Sequence, residues 1–396
     1  MENMEVLTDK CRHYEFCGGC AHQGIDYEIQ LRLKNDEVLK QLKDKGILYD
    51  AYLGIEGSPD IYGYRNKMEY AFGDMVKGGE MNLGLHQKGK YVSVVTVDDC
   101  QLVDQDFNLV LRFVLDYCKE KGYIFYNKKT HSGLLRHLIL RKGVRTKELL
   151  VNIVTSSQGP FDGREFAERL LKLKLNNSIV GIINTINDGK ADFIQCDEMK
   201  VLWGNDHYME RIVGLDFKVS AFSFFQTNVA AAERLYLEAI SMIDDFSGKT
   251  VFDLYCGTGT ISQAMARKAK KVTGIELSPE AVASAKENAE RNGLSNCEFI
   301  TGDVLKELEQ IGEKPDIIVL DPPRAGVQLK ALRKIAGYGV GQIIYISCNP
   351  KTLAENLYYL QENGYRVEKI KACDNFPFTR HCECIASLRK KEICNE

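Results

Sequence analysis

From Ser247 onward, short apolar runs alternate with amphipathic stretches, and few folds accept that rhythm. The spacing predicts strands over 250–255, 271–277, 297–301, 316–321, 342–347, 365–372 and 384–389, and helices over 261–268, 279–292, 330–337 and 351–363. Each apolar run is too short for a buried helix, and most are followed by a helical pattern long enough to cross back over a sheet. Parallel strands need such crossovers, so the segment is expected to form an α/β, doubly wound, Rossmann-like sheet. The last two strands have no helix between them, which predicts an antiparallel finish.

Upstream the texture differs. Residues 27–42 carry Ile29, Leu31, Leu33, Val38, Leu39 and Leu42 among lysines and glutamates, the pattern of an amphipathic helix. Between 64 and 203, β-rich runs at 67–72, 82–86, 92–97, 135–141, 149–155 and 181–187 are interrupted by helical patches at 104–121 and 161–173, which predicts an α+β middle domain. Three units follow: a Cys-rich segment with its helix over 1–48, a central domain over 49–210 that includes Cys100, and the Rossmann-like domain over 211–396.

No stretch approaches the ~18 consecutive apolar residues of a spanning helix, and the Met1–Glu5 opening lacks a basic then apolar leader, so a cytoplasmic protein away from membranes is expected. The thirteen cysteines are then thiols or metal ligands rather than disulfides. With 52 basic against 55 acidic side chains the chain does not coat nucleic acid by bulk charge. A local groove is another matter: strand alternation over 136–145 places His137, Arg141 and Arg145 on one face, though the same pattern also describes a solvated strand.

Asp253-Leu254-Tyr255-Cys256-Gly257-Thr258-Gly259-Thr260 stands where the first strand of the sheet turns into a helix. Glycines there, Gly257 among them, let backbone approach a ligand, and a carboxylate at the end of the next strand, Glu276, is placed to accept both ribose hydroxyls of an adenosine. A dinucleotide site would want a third glycine where Ser262 stands, so S-adenosylmethionine fits better. Asp321-Pro322-Pro323-Arg324 leaves an apolar strand at the same sheet edge. In many methyltransferases an aromatic residue follows Asp-Pro-Pro; arginine here makes amino-group methylation less fitting.

Tyr345-Ile346-Ser347-Cys348-Asn349-Pro350 closes a strand and opens a helix, where unpaired N–H groups favour a thiolate at Cys348. Uracil C5 becomes nucleophilic only after something adds at C6; a base must then remove H5 so that the thiol can leave. Glu383 in Phe376-Pro377-Phe378-Thr379-Arg380-His381-Cys382-Glu383 is a candidate base, and His381 competes with it.

Six co-linear motifs now stand together: Phe225-Gln226-Thr227-Asn228, the Asp253 loop, Gly274-Ile275-Glu276, Asp321-Pro322-Pro323-Arg324-Ala325-Gly326, Ser347-Cys348-Asn349-Pro350 and Phe376-Pro377-x-Thr379-x-His381-x-Glu383. In order and position they resemble the RNA uracil-5 methyltransferases, from about residue 11 to residue 386. The resemblance implies that Cys348 is the nucleophile and Glu383 the base, and that Gln226, Tyr255, Thr260, Glu276 and Asp321 line the S-adenosylmethionine and uracil sites. RNA cytosine-5 methyltransferases carry a second cysteine where this chain has Arg324, so uracil is expected.

Cys11-x5-Cys17-Gly18-Gly19-Cys20 with the distant Cys100 gives four thiols suited to a 4Fe-4S cluster or a tetrahedral zinc, or simply free structural thiols. The spacing resembles the iron-sulfur subgroup of the family, which implies a 4Fe-4S cluster and 23S ribosomal RNA as substrate. Many members of that subgroup begin with a small RNA-binding β-barrel, and only ten residues precede Cys11 here. RNA contacts are therefore expected from the middle domain, with 64–67 and 136–145 as candidates for phosphate. No protein partner is implied. Transfer RNA as the substrate, and a non-catalytic RNA-binding or ribosome-assembly protein on the same fold, are the competing readings; Cys348, Glu383 and Glu276 together speak against the latter.

Overall fold

The computed structural model describes residues 10–191 and 193–391; the Met1–Glu5 opening lies outside them. Helix α1 (Tyr27–Asp44) begins at Asp26, whose carboxylate accepts the Glu28 N–H at 2.9 Å, and leads into β1 (Tyr49–Glu56). The chain then forms β2 (Lys67–Asp74), β3 (Met81–Gln87), β4 (Lys90–Thr96), α2 (Gln105–Glu120), β5 (Leu135–Lys142), β6 (Glu148–Thr155), α3 (Gly163–Leu170), β7 (Ser178–Ile186) and β8 (Glu198–Gly204). These strands make a seven-stranded sheet in the order β4-β3-β2-β5-β6-β7-β8. Only β6 and β7 pair in parallel, with α3 as the crossover the parallel pair requires. Phe107, Val110, Leu111 and Val114 of α2 and Phe166 and Leu170 of α3 pack on one face of this sheet, so the middle is α+β as expected.

A hairpin of β9 (His207–Ile212) and β10 (Leu215–Ser220) and helix α4 (Val229–Ser241) connect to the second sheet. That sheet takes β11 (Thr250–Leu254), α5 (Thr260–Ala266), β12 (Lys271–Glu276), α6 (Pro279–Arg291), β13 (Cys297–Thr301), α7 (Val304–Gln310), β14 (Ile317–Leu320), α8 (Leu329–Tyr338), β15 (Gln342–Ser347), α9 (Pro350–Glu362), β16 (Tyr365–Cys373) and β17 (Glu383–Lys390). The strand order is β1-β16-β17-β15-β14-β11-β12-β13, and β17 runs antiparallel to both neighbours, so the doubly wound sheet and its antiparallel finish match the reading of the sequence. Order reverses between β11 and β14, which opens a crevice at the carboxyl ends of those strands.

Two expectations are corrected. Residues 49–56 do not belong to the middle domain: β1 pairs in parallel with β16 at the edge of the C-terminal sheet. Being an edge strand it is mostly half-exposed, so it lacks the alternation that would announce it. Helix α1 forms as predicted, yet its buried stripe is Gln30, Lys34, Val38 and Leu42 while Leu33 faces out. Val38 and Leu42 join the core of the C-terminal sheet, and the polar half of the stripe meets the Asp374 carboxylate and the backbone at Phe376 and Phe378 instead. No helix among the described residues is long and apolar enough to cross a membrane.

Candidate active site

The loop after β11 is built on backbone that few residues adopt. Tyr255 (φ 69°), Gly257 (φ 55°) and Gly259 (φ 76°) all lie in the left-handed region. At Gly259 a Cβ would stand 2.6 Å from the Phe299 ring, so packing as well as φ requires glycine there. Around Gly257 a Cβ would meet nothing within 4 Å, because the loop faces open space. Glu276 ends β12 and fixes the loop: its two carboxylate oxygens accept the Gly257 N–H at 3.1 Å and the Ser278 N–H at 2.9 Å. Glu276 also lines the crevice.

That crevice holds about 1320 Å³, and Gln226, Tyr255, Gly257, Thr260, Glu276, Asp321, Cys348 and Glu383 all line it, together with His381 and Arg324. Residues drawn from strand ends far apart in sequence thus converge on one cleft. Burial pushes the Asp253 carboxyl up to about 7, held by the Ser262 hydroxyl. Asp321 rises to about 7 through burial and the neighbouring Asp253 charge, and Glu383 to about 8 through burial and the Asp321 charge. Glu383 is therefore a carboxyl poised near neutrality, the range in which a proton acceptor works best. His381 is shifted the other way, below its ordinary value, by burial and by the positive charges of Arg324, Lys34 and Arg65.

The thiol corrects an expectation. Cys348 is not a preformed thiolate: burial, then the Glu383 and Asp321 charges, push it up to about 11, with Arg324 pulling the other way. Helix α9 gives it little help because Asn349, not Cys348, is the N-cap, and its side chain accepts the Lys351 N–H at 3.2 Å.

Against known proteins, the profile of the tRNA (Uracil-5-)-methyltransferase family matches residues 211–391. An RNA methyltransferase of Clostridium tetani is 48% identical over 98% of this chain and 87% of its own length. Another from Clostridium acetobutylicum is 50% identical over 97% of this chain and 84% of its own. The chain belongs to the RNA uracil-5 methyltransferases. Among solved structures, the Pyrococcus abyssi tRNA (uracil-54, C5)-methyltransferase in complex with S-adenosyl-L-homocysteine superposes with a TM-score of 0.78 at 27% identity, over 94% of this chain and 86% of that one. The family assignment thus rests on nearly the whole chain, and the enzyme class is RNA (uracil-5-)-methyltransferase.

The family motif Phe225-Gln226-Thr227-Asn228 is held by groups that sequence reasoning missed. Asn66 donates its side-chain amide to the Gln226 carbonyl at 3.1 Å, and its backbone N–H to the Thr227 carbonyl at 2.8 Å. Tyr236, buried on α4, bonds the Gln226 side chain and stands beside the Asp321 and Glu383 charges. The helix over 229–241 has no clear signal in the sequence, since Ala and apolar residues on several sides leave no clean stripe.

The phosphate candidates turn inward. Arg136 donates to the carbonyls of Asn187, Gly189 and Ala191, and Arg141 to those of Ser220, Ala221 and Ser223; both are buried. Lys142 pairs with Asp104 and Arg145 with Glu233. Of residues 64–67, Tyr64 and Asn66 are buried, and Lys67 pairs with Glu69 at 2.6 Å. Arg136 and Arg141 thus hold loops rather than present themselves to a nucleic acid, while Arg145 stays 41% exposed beside its carboxylate.

Cys11, Cys17, Cys20 and Cys100 do meet: all four line one pocket of about 380 Å³, with Arg65 and Thr227 on its wall. Burial and mutual charge push Cys20 up to about 12 and Cys100 to about 11, and Cys17 rises for the same reasons. In the side-chain positions of the structure, no three His, Cys, Asp or Glu groups among the described residues form a ready metal site. The donor number and chemistry nevertheless suit a thiolate-bound metal centre, because a cation would offset the repulsion that four thiolates in one pocket would impose on one another.

Proposed function

We propose that this chain methylates C5 of a uridine in 23S ribosomal RNA through a covalent bond from Cys348 to C6. The reading is carried by the convergence of Cys348, Glu383, Asp321 and Gln226 on the cleft that also receives the Gly257–Glu276 loop. The Gly257 loop and Glu276 would hold S-adenosylmethionine, which would supply an electrophilic methyl group on sulfur. The Cys348 thiol would give up its proton to solvent and its sulfur add to C6, the C5=C6 electron pair would become an enolate that takes the methyl at C5, and S-adenosylhomocysteine would leave with the electron pair of the broken sulfur–methyl bond. Glu383 then removes H5, the C5=C6 double bond re-forms, and the C6–S bond breaks to release the Cys348 thiolate, which regains a proton from solvent or from Glu383. The uridine is extruded from its stack to expose both faces of C5 and C6.

Cys11, Cys17, Cys20 and Cys100 would hold a 4Fe-4S cluster, with zinc as the alternative; the Cys11-x5-Cys17-x2-Cys20 spacing and their shared pocket support it. A second reading, a transfer RNA substrate, is favoured by the names of the family profile and of the Pyrococcus neighbour. Mapping 5-methyluridine in ribosomal and transfer RNA from cells with and without the gene separates the two. The covalent route is tested with 5-fluorouridine RNA, where fluorine cannot leave as a cation: a denaturation-resistant adduct is expected, and Cys348→Ala should abolish both adduct and methyl transfer. Methyl transfer by Cys348→Ala would refute the nucleophile.

A further inference from the structure

The link between β16 and β17, residues 374–382, carries His381 to the cleft and leads into Glu383 at the start of β17; besides the Asn228 amide, which donates to the Asn375 carbonyl at 3.0 Å, it is held largely from the N-terminal part of the chain. Three consecutive turns of one face of α1 grip it. Tyr27 donates its hydroxyl to Asp374 Oδ2 at 3.0 Å, Gln30 Oε1 accepts the Phe378 N–H at 2.8 Å, and Lys34 Nζ donates to Asp374 Oδ1 at 2.6 Å and to the Phe376 carbonyl at 3.0 Å. From the cysteine segment, the backbone N–H groups of Ala21 and His22 both donate to the Phe378 carbonyl at 2.9 Å, and Tyr64 donates to the Pro377 carbonyl at 3.0 Å.

Lys34 and Asp374 are the centre of this grip. Their side chains are 1% and 0% exposed, an ion pair sealed from water between residues 340 positions apart. A buried charge pair is a poor source of net stability but a strong orienting device, since removing one partner strands the other. Phe378, held in the left-handed region at φ 65°, shows that the link is pulled into a shape it would not adopt freely.

We propose that Lys34 is a positioning residue for the proton-abstraction step: by clamping Asp374 and the Phe376 carbonyl it sets where Glu383 stands. This rests on the reading of Glu383 as the base. Lys34 touches no reacting atom, and its loss acts on the last step, after methyl transfer.

The test is Lys34→Met, with Lys34→Met/Asp374→Asn as the variant that leaves no lone buried charge. Each is compared with wild type in single-turnover methyl transfer, in steady-state kinetics and on denaturing gels with ordinary RNA. Expected for the folded variants are methyl transfer within about twofold of wild type, a kcat lowered by about tenfold to a hundredfold at unchanged KM, and accumulation of a methylated covalent RNA complex. Loss of KM alone, loss of the methyl-transfer step, or a double variant that folds and resolves the adduct at the wild-type rate would overturn the proposal. Wild type on 5-fluorouridine RNA is the control: an adduct there with none in the Lys34 variants refutes the positioning role alone, whereas no adduct there refutes the covalent reading beneath it.

Discussion

Glu383→Gln separates the two steps of the proposed chemistry. The amide leaves Cys348 free to attack and C5 free to take the methyl group, but H5 has no acceptor. Loss of a positioned general base costs about a hundredfold to ten-thousandfold, so the enzyme should stall as a methylated covalent complex that migrates slowly on a denaturing gel with ordinary RNA. Wild type should resolve that complex with a pH dependence set by Glu383. With its carboxyl pushed up to about 8, only about a tenth is ionised at pH 7, so resolution should rise about tenfold per unit up to pH 7, bend near 8 and flatten above. His381 makes the opposite forecast: its value is lowered, so as the base it would already be competent at pH 7 and the profile would be flat between 7 and 9. Near wild-type turnover by Glu383→Gln, a flat profile, and adduct accumulation in His381→Ala would together move the role to the imidazole. If neither variant traps RNA, elimination is not where Glu383 acts.

Glu276→Ala should weaken S-adenosylmethionine binding by about 1.5 to 3 kcal/mol for each charge-assisted hydrogen bond lost, and unchanged affinity by calorimetry would remove Glu276 from the site. Protein purified without oxygen should be brown and Cys17→Ala should bleach it; a colourless protein with stoichiometric zinc would refute the iron-sulfur centre. Stability should fall with rising pH: Glu383 keeps its proton in the fold up to about 8 but sheds it in the unfolded chain near pH 4, so the folded state binds more protons in between. The unfolding free energy of wild type should therefore drop more between pH 5 and pH 8 than that of Glu383→Gln, by up to about 1.4 kcal/mol per pH unit in denaturant titrations, and parallel curves would contradict the burial of that carboxyl.

What the sequence made legible follows from where each residue is satisfied. Strands such as Ile317–Leu320 and Gln342–Ser347 are buried on both faces, so their apolar runs announce them, and the alternation of strands with crossover helices puts the residues at their carboxyl ends on one edge. The edge strand β1 carries no such run. Arg136 and Arg141 were readable as charges but not as structural ones, because their partners are loop carbonyls, and a carbonyl has no signature in sequence. The pair Lys34–Asp374 was hidden for a related reason, with its members in different units of the chain. The raised thiol of Cys348 is not legible in sequence, because a position before a helix can be read there whereas two carboxyls brought beside it from the ends of β14 and β17 cannot.

Those carboxyls bear on the order of events. The Glu383 charge is the largest cause, after burial, of the raised Cys348 thiol, and such coupling is reciprocal: a thiolate at Cys348 holds the proton on Glu383. Once sulfur is bonded to C6 its charge has passed to the uracil and is spent on the methyl transfer, so that restraint on Glu383 is lifted when H5 needs an acceptor. In the proposed sequence of steps, nucleophile and base would be competent in turn rather than together. The same coupling fixes a signature for Glu383→Gln: without the carboxylate, adduct formation should set in at lower pH than in wild type. A formation profile unmoved by the substitution would mean that the two groups do not sense each other, and the ordering would have to come from RNA binding alone.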